Sequence, residues 1–312
     1  MAHIYIYSPS GAVRDTAGFR RAIKRLQQRG HTVEVDPDAL TTWQRFAGDD
    51  TTRLAAIGRA ADSGADVALL SRGGYGLTRI LPRLPWKKIS KAIETGTQFV
   101  GLSDFTALQT ALLAKAPTPQ KAVTWAGNLL IDDWGQTTEP DDITEACFSD
   151  MVHGIGEGAG WTISTKELPE TGEALLKKPV KNATLWGGNL CVLTSLLGTP
   201  YFPTIKKGVL FLEDVSEHPY RIERMLTQLL HASVLDNQQA IVLGQFTDFK
   251  LNANDKGFNL RTVVQWLRSQ TSTPILTGLP HGHVPTKVLL PVGATVDLQM
   301  QGRDCLILWG HM

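Results

Sequence analysis

Strand-length apolar runs alternate with helix-period segments through the first hundred residues, and this alternation limits the folds open to the chain more than any other feature. The run Ile4 to Tyr7 precedes a helix ending near Gly30, and Thr32 to Val35 is the next strand. A helix near Thr52 to Ser63 leads into Asp66 to Leu70, and Phe99 to Leu102 follows another helix. Parallel neighbours need a crossover, which the intervening helices supply, so the pattern predicts a doubly wound, mostly parallel sheet. Ligands of such sheets gather beyond the carboxyl ends of the strands. From about Asp141 to Lys181 the character changes: Gly154, Gly156, Gly158 and Gly160, then the charged Lys166 to Lys178 stretch, read as a connection. The second half supplies strands near Gly208 to Leu212 and Ala240 to Gln245, an amphipathic helix Thr262 to Arg268, and a terminal β pair, Ala294 to Gln299 with Asp304 to Trp309. The expected fold is α/β in two parts: residues 1–150 around the doubly wound sheet, a connection over 151–181, and a β-rich α/β domain over 182–312.

Four segments at strand ends carry chemistry. In Phe99-Val-Gly-Leu-Ser-Asp-Phe an apolar run stops abruptly and helical spacing begins at Phe105, Leu108, Leu112 and Leu113, which puts Ser103 on a strand-to-helix turn. A serine there is either a nucleophile facing the amides of the helix's first turn, or, with Asp104, an ordinary helix cap. Glu213 ends the apolar run from Gly208, where a buried carboxylate must meet a cation or an imidazole. It either orients a base or forms a structural ion pair. Asp214, Glu217 and His218 are explained by the start of the helix near Pro219. The loop Leu279-Pro-His-Gly-His-Val-Pro holds two histidines two residues apart, so an extended segment aims only one into a common site; His283 is preferred over His281. Lastly, Ser71-Arg-Gly-Gly-Tyr-Gly follows the strand ending at Leu70, and its glycines suit either an oxyanion cradle or a plain turn. The spacing of Gly73, Gly74 and Gly76 matches neither a phosphate-binding loop nor a dinucleotide fingerprint.

Taken together, Ser8-Pro-Ser-Gly, Phe46-Ala-Gly-Asp-Asp, Arg72-Gly-Gly-Tyr-Gly, Val100-Gly-Leu-Ser-Asp, Trp186-Gly-Gly-Asn-Leu, Leu212-Glu-Asp and Gly282-His resemble the serine LD-carboxypeptidases, the muramoyltetrapeptide carboxypeptidase group that includes the microcin-immunity peptidases. The resemblance implies Ser103 as nucleophile, Glu213 as orienting carboxylate and His283 as general base, with an oxyanion hole from the backbone N–H of Asp104 and of Gly73 or Gly74. Tyr75, Trp186 and Asn189 would line the substrate site. It further implies a murein tetrapeptide substrate losing a C-terminal D-alanine during cell-wall recycling, no metal or organic cofactor, and a homodimer. Trp125-Ala-Gly-Asn-Leu departs from the family's more usual Gly-Pro. Two other functions fit the same features: hydrolysis of a peptide-nucleotide antibiotic by the same triad, and non-catalytic ligand binding in a two-domain cleft. The Lys166 to Lys178 region is short and aliphatic, against the first, and binding alone needs no Ser, Glu and His at strand ends, against the second.

Composition narrows the partners. A formal charge of +1 over 312 residues predicts no general attraction to nucleic acid or acidic membranes. The N-terminus enters a strand directly, without a basic segment followed by an apolar core, so a cytoplasmic location is expected. Cys147, Cys191 and Cys305 are widely spaced and read as reduced thiols, neither a disulfide framework nor a metal site.

Overall fold

The computed structural model describes residues 1–168 and 175–311. Residues 169–174 of the Lys166 to Lys178 stretch lie outside the described residues. Strands β1 (His3–Tyr7), β2 (Thr32–Val35), β3 (Val67–Leu70), β4 (Gln98–Gly101) and β5 (Thr124–Ala126) are all parallel, in the spatial order β2-β1-β3-β4-β5. The strand order reverses between β1 and β3, the position where doubly wound sheets open a crevice. Loops after those two strands are joined there, Gly11 N donating to Gly73 O at 3.2 Å.

A second sheet contains β6 (Gly158–Thr162), β7 (Val180–Asn189), β8 (Val209–Val215), β9 (Ala240–Thr247) and β10 (Ile275–Leu276). Strand β11 (Leu290–Val292) leaves this half and pairs antiparallel with β5 of the first sheet. Then β12 (Thr295–Gln301) and β13 (Asp304–Leu308) return as a hairpin, giving the second sheet the order β10-β9-β8-β7-β12-β13-β6. Strands β7 to β10 are parallel and the remaining three antiparallel. The 151–181 stretch, expected as a connection, therefore gives β6 to the second sheet. Its alternate glycines fall on an edge strand paired with β13, about 145 residues further on, so no local pattern announces it.

The helix Thr106–Lys115 positions the site. Its residues Thr106 to Leu113 are all buried, because it runs between the two halves and touches β7 as well as its own sheet. A helix buried on nearly every side has no water-facing stripe: Ala107, Leu108, Ala111, Leu112 and Leu113 fill most of it, and the buried Gln109 donates to Thr124 Oγ1 at 3.1 Å. These residues share one apolar core with Leu185 and Leu190 of the second half. Truncating a core leucine such as Leu108 to alanine costs ~2–5 kcal/mol, and here the loss would loosen the joint between halves as well as one domain.

Candidate active site

Ser103 sits where β4 turns into that helix, at φ +67°. A non-glycine residue in the left-handed region is strained, and the strain persists only where the surroundings hold it. Leu102 ends in extended backbone, Ser103 to Phe105 form one 3-10 turn, and the α-helix starts at Thr106. Neither Ser103 nor Asp104 caps the helix with its side chain. Ser103 instead opens onto a cavity of about 710 Å³ that it shares with Gly73, Gly74, Tyr75, Asp132, Asn189 and His283.

The glycine turn packs directly on the serine. A Cβ at Gly73 would lie 2.8 Å from Ser103 Cβ and 3.0 Å from its Oγ, so only glycine lets the two loops approach this closely. The backbone N–H groups of Gly73, Gly74 and Asp104 have no acceptor among the described residues, which leaves them free as anion donors. The Asp104 carboxylate is buried and faces away from this chemistry: its Oδ2 accepts from Ser10 Oγ at 2.7 Å and from Leu77 N at 2.9 Å. It thus ties together the loops after β1, β3 and β4, while burial raises its pKa.

β8 and the loop after β10 bring a carboxylate and an imidazole together. Glu213 is fully buried, and its Oε2 accepts from His283 Nδ1 at 2.8 Å. Because the carboxylate accepts, Nδ1 carries the proton and Nε2 is the imidazole's basic atom. The β8–β9 register shifts at this point, between Leu212 and Asp214. Gly282, at φ +134°, makes the approach possible, since a Cβ there would come within 3.2 Å of both Glu213 Cβ and Oε2. His283 has a raised pKa: burial opposes its charge, but the Glu213 hydrogen bond and the charges of Glu213, Asp132 and Asp214 outweigh it. No hydrogen bond joins His283 to Ser103 among the described residues; the two line one cavity, and such contacts commonly tighten only with substrate bound.

His281 is the other kind of histidine. It is fully buried, its Nδ1 bonds Val288 O at 2.9 Å, and its ring packs edge-on against Phe211. Burial lowers its pKa.

Asn189 faces Glu213 in the β7–β8 register. Its Nδ2 donates to Asp214 Oδ1 at 2.9 Å and lies 3.2 Å from Glu213 Oε1, while its backbone N–H donates to Thr106 Oγ1 at 2.9 Å. Asp214 is pushed up to about 6 by burial and then by Glu213. Tyr75 is exposed on the cavity rim beside Phe46. Trp186 does not line the cavity: it is 1% exposed, its indole N–H donates to Gln238 Oε1 at 2.9 Å, and it packs edge-on against Phe202. An indole with its polar atom satisfied in the core has no reason to face water. Cys191 does reach the cavity wall, but burial and then Asp214 push its thiol up to about 11, so it stays protonated. No group of metal-ligating side chains occurs among the described residues.

Two contributors had no clear sequence signal. Thr106 docks the helix that follows Ser103 onto β7. Asp132 stands in a π-helical turn, Leu130–Trp134, whose Asp133 pairs with the buried Lys287 and accepts from Leu129 N at 2.7 Å. Asp132 lies where the main cavity meets a second one of about 510 Å³ beside His283, Val284 and Pro285. Desolvation within the cleft, then the Asp133 charge, raises its pKa.

Comparison with known proteins places the chain in a family. Residues 4–121 match the LD-carboxypeptidase N-terminal domain and residues 182–298 the LD-carboxypeptidase C-terminal domain. The crystal structure of muramoyltetrapeptide carboxypeptidase from Oxalobacter formigenes is 36% identical, superposes with a TM-score of 0.85, and is matched over 99% of this chain and 98% of that one. A murein tetrapeptide carboxypeptidase of Pseudomonas aeruginosa is 27% identical over 300 residues, covering 95% of this chain and 92% of the relative. The microcin C7 self-immunity protein of Escherichia coli is 26% identical over 254 residues, covering 75% and 71%. With both domain types matched in order and the two sheets in place, the chain belongs to the LD-carboxypeptidase family.

Proposed function

We propose that this enzyme is a serine carboxypeptidase that hydrolyses the L,D-peptide bond of murein tetrapeptides and releases a C-terminal D-alanine. The observation that carries the reading is the meeting, in one cavity, of a serine on a strained turn with the Glu213–His283 pair. His283 Nε2 takes the proton of Ser103 as Oγ attacks the peptide carbonyl. Glu213 keeps the imidazole in the reactive tautomer and balances its charge once protonated. The N–H groups of Asp104 and of Gly73 or Gly74 receive the developing oxyanion in a preset geometry. The imidazolium then protonates the leaving amine, and water attacks the acyl-enzyme with His283 again as base.

The antibiotic-hydrolysing alternative would use the same chemistry on a nucleotide-bearing substrate. Tyr75 is the one aromatic residue lining either cavity around His283 among the described residues, which offers little for a base to stack on. A homodimer, by family resemblance, and a cytoplasmic location belong to the proposed reading. No helix among the described residues is long and apolar enough to cross a membrane. Incubation with L,D- and D,D-linked murein peptides, with released D-alanine followed by mass spectrometry, tests the substrate: release from the L,D-linked peptide alone is expected, and release only from the D,D-linked one, or from neither, removes it. Sedimentation of the purified protein tests the dimer.

A further inference from the structure

The chemistry above gives Arg72 no task. An enzyme that removes only the last residue must distinguish a chain end from an internal peptide bond, and at a C-terminus the distinguishing group is a carboxylate. Two guanidinium groups line the 710 Å³ cavity, those of Arg45 and Arg72. Neither has a carboxylate partner among the described residues, whereas Arg53, Arg59, Arg79 and Arg221 are all paired. Arg72 is anchored all the same. Its Nη1 donates to Ala12 O at 3.1 Å and packs against Gly11, where an added Cβ would come within 2.9 Å of it. Its other donors have no acceptor among the described residues. The residue also directly precedes Gly73, which packs on Ser103, so its backbone is fixed relative to the nucleophile. Arg45 is held by a different contact, its guanidinium lying 5.7 Å from the Tyr75 ring centroid.

The carboxylates around the cavity sharpen the assignment. Asp104 is satisfied by Ser10 and Leu77, Asp214 by Asn189 and two backbone amides, and Glu217 by Arg221. Asp132 alone makes no hydrogen bond or ion pair among the described residues; it lines both this cavity and the second one beside His283, and it lies near enough to Arg72 to feel its charge. We infer that Arg72, assisted by Arg45, holds the C-terminal carboxylate of the substrate and so confines cleavage to the terminal residue. A guanidinium suits this task because its planar fork matches a carboxylate in two-point contact. The inference rests on the carboxypeptidase reading proposed above.

The test compares two L,D-linked peptides identical except that one ends in a free acid and the other in an amide. A hydrogen-bonded charge contact is worth roughly 10–200-fold, so the wild type should favour the acid by about that factor in kcat/KM. Arg72→Gln should lose that factor on the acid and far less on the amide, collapsing the preference even where loss of the Ala12 contact slows both substrates. Arg45→Gln, which breaks no hydrogen bond, should lower the same preference by less, and Arg72→Lys should keep part of it. Equal cleavage of acid and amide by the wild type overturns the inference, as does an equal loss on both by Arg72→Gln. If the wild type cleaves neither, the substrate reading fails instead. Calorimetric binding of the two peptides to Ser103→Ala then decides the carboxylate site on its own: a preference for the acid that Arg72→Gln abolishes upholds it, and no preference overturns it.

Discussion

His283 Nδ1 lies 2.8 Å from Glu213 Oε2 across 70 residues of sequence, with the carboxylate fully buried. Glu213→Gln keeps the shape and removes the charge that balances an imidazolium. Turnover should fall by roughly 10²–10⁴, by analogy with the aspartate-to-asparagine change in the chymotrypsin-type triad. Melting temperature should change little. Kinetics and thermal melts on one preparation check this; a large drop in melting temperature with normal turnover of the folded fraction would make Glu213 a structural residue.

Ser103→Ala should abolish turnover, a loss on the order of 10⁶, with the fold preserved, since alanine meets the same left-handed strain that serine already bears. A fluorophosphonate probe followed by peptide mass mapping should label Ser103 in the wild type. Labelling elsewhere, or an active alanine variant, would remove it from the mechanism.

The two histidines should separate cleanly. His283→Ala should be inactive and normally stable. His281→Ala removes a buried ring with a hydrogen bond to Val288 O and an edge contact on Phe211, and should cost ~2–4 kcal/mol while the folded fraction turns over within about threefold of wild type. Urea unfolding and active-site titration measure the two quantities separately, and the reverse pattern would exchange their roles.

The pH profile of kcat/KM should have its acid limb above the ordinary histidine value of 6.5, because His283 must be neutral to act and its pKa is raised. Asp132 contributes to that rise. Asp132→Asn should therefore shift the limb toward lower pH, making the enzyme relatively more active in mild acid. A limb that stays in place would show that Asp132 does not act on the base.

Asp214 gives a prediction for stability. Its carboxyl is held at about 6 in the folded protein against 3.8 for the free group, so between these values the folded state binds more protons than the unfolded one. Its contribution therefore declines as pH rises through that window and is greatest below it. Asp214→Asn should flatten the melting temperature between pH 4 and 6 relative to wild type, and parallel curves would refute the assignment.

Much of this was legible in the chain because the relevant signals are local. The strands of the first sheet are short apolar runs, Ser103 interrupts one of them, and Glu213 ends another, so each stands out against its neighbours. Trp186 did not reveal its place, because an indole serves a cavity wall or a core equally well and the deciding partner, Gln238, lies 52 residues away. Asp132 was hidden for a related reason. It carries no motif, and its importance comes from a π-helical turn held by Lys287, 154 residues on from Asp133. Strand β6 escaped because glycine and alanine make a poor strand signal, and only pairing with β13 fixes it.

Strand β11 has a consequence for synthesis. The first sheet is otherwise complete once residue 126 has been made, yet the open edge of β5 waits for Leu290 to Val292 to cover it. At roughly 5–20 residues per second, the ribosome needs on the order of ten to thirty seconds to deliver those residues. For that interval the half that carries Ser103 presents an uncovered strand edge and a helix, Thr106–Lys115, lacking its second apolar partner. The nascent chain is thus most exposed to misassociation after the Ser103 turn has formed and before Leu290 to Val292 arrive, an interval in which both Glu213 and His283 are added.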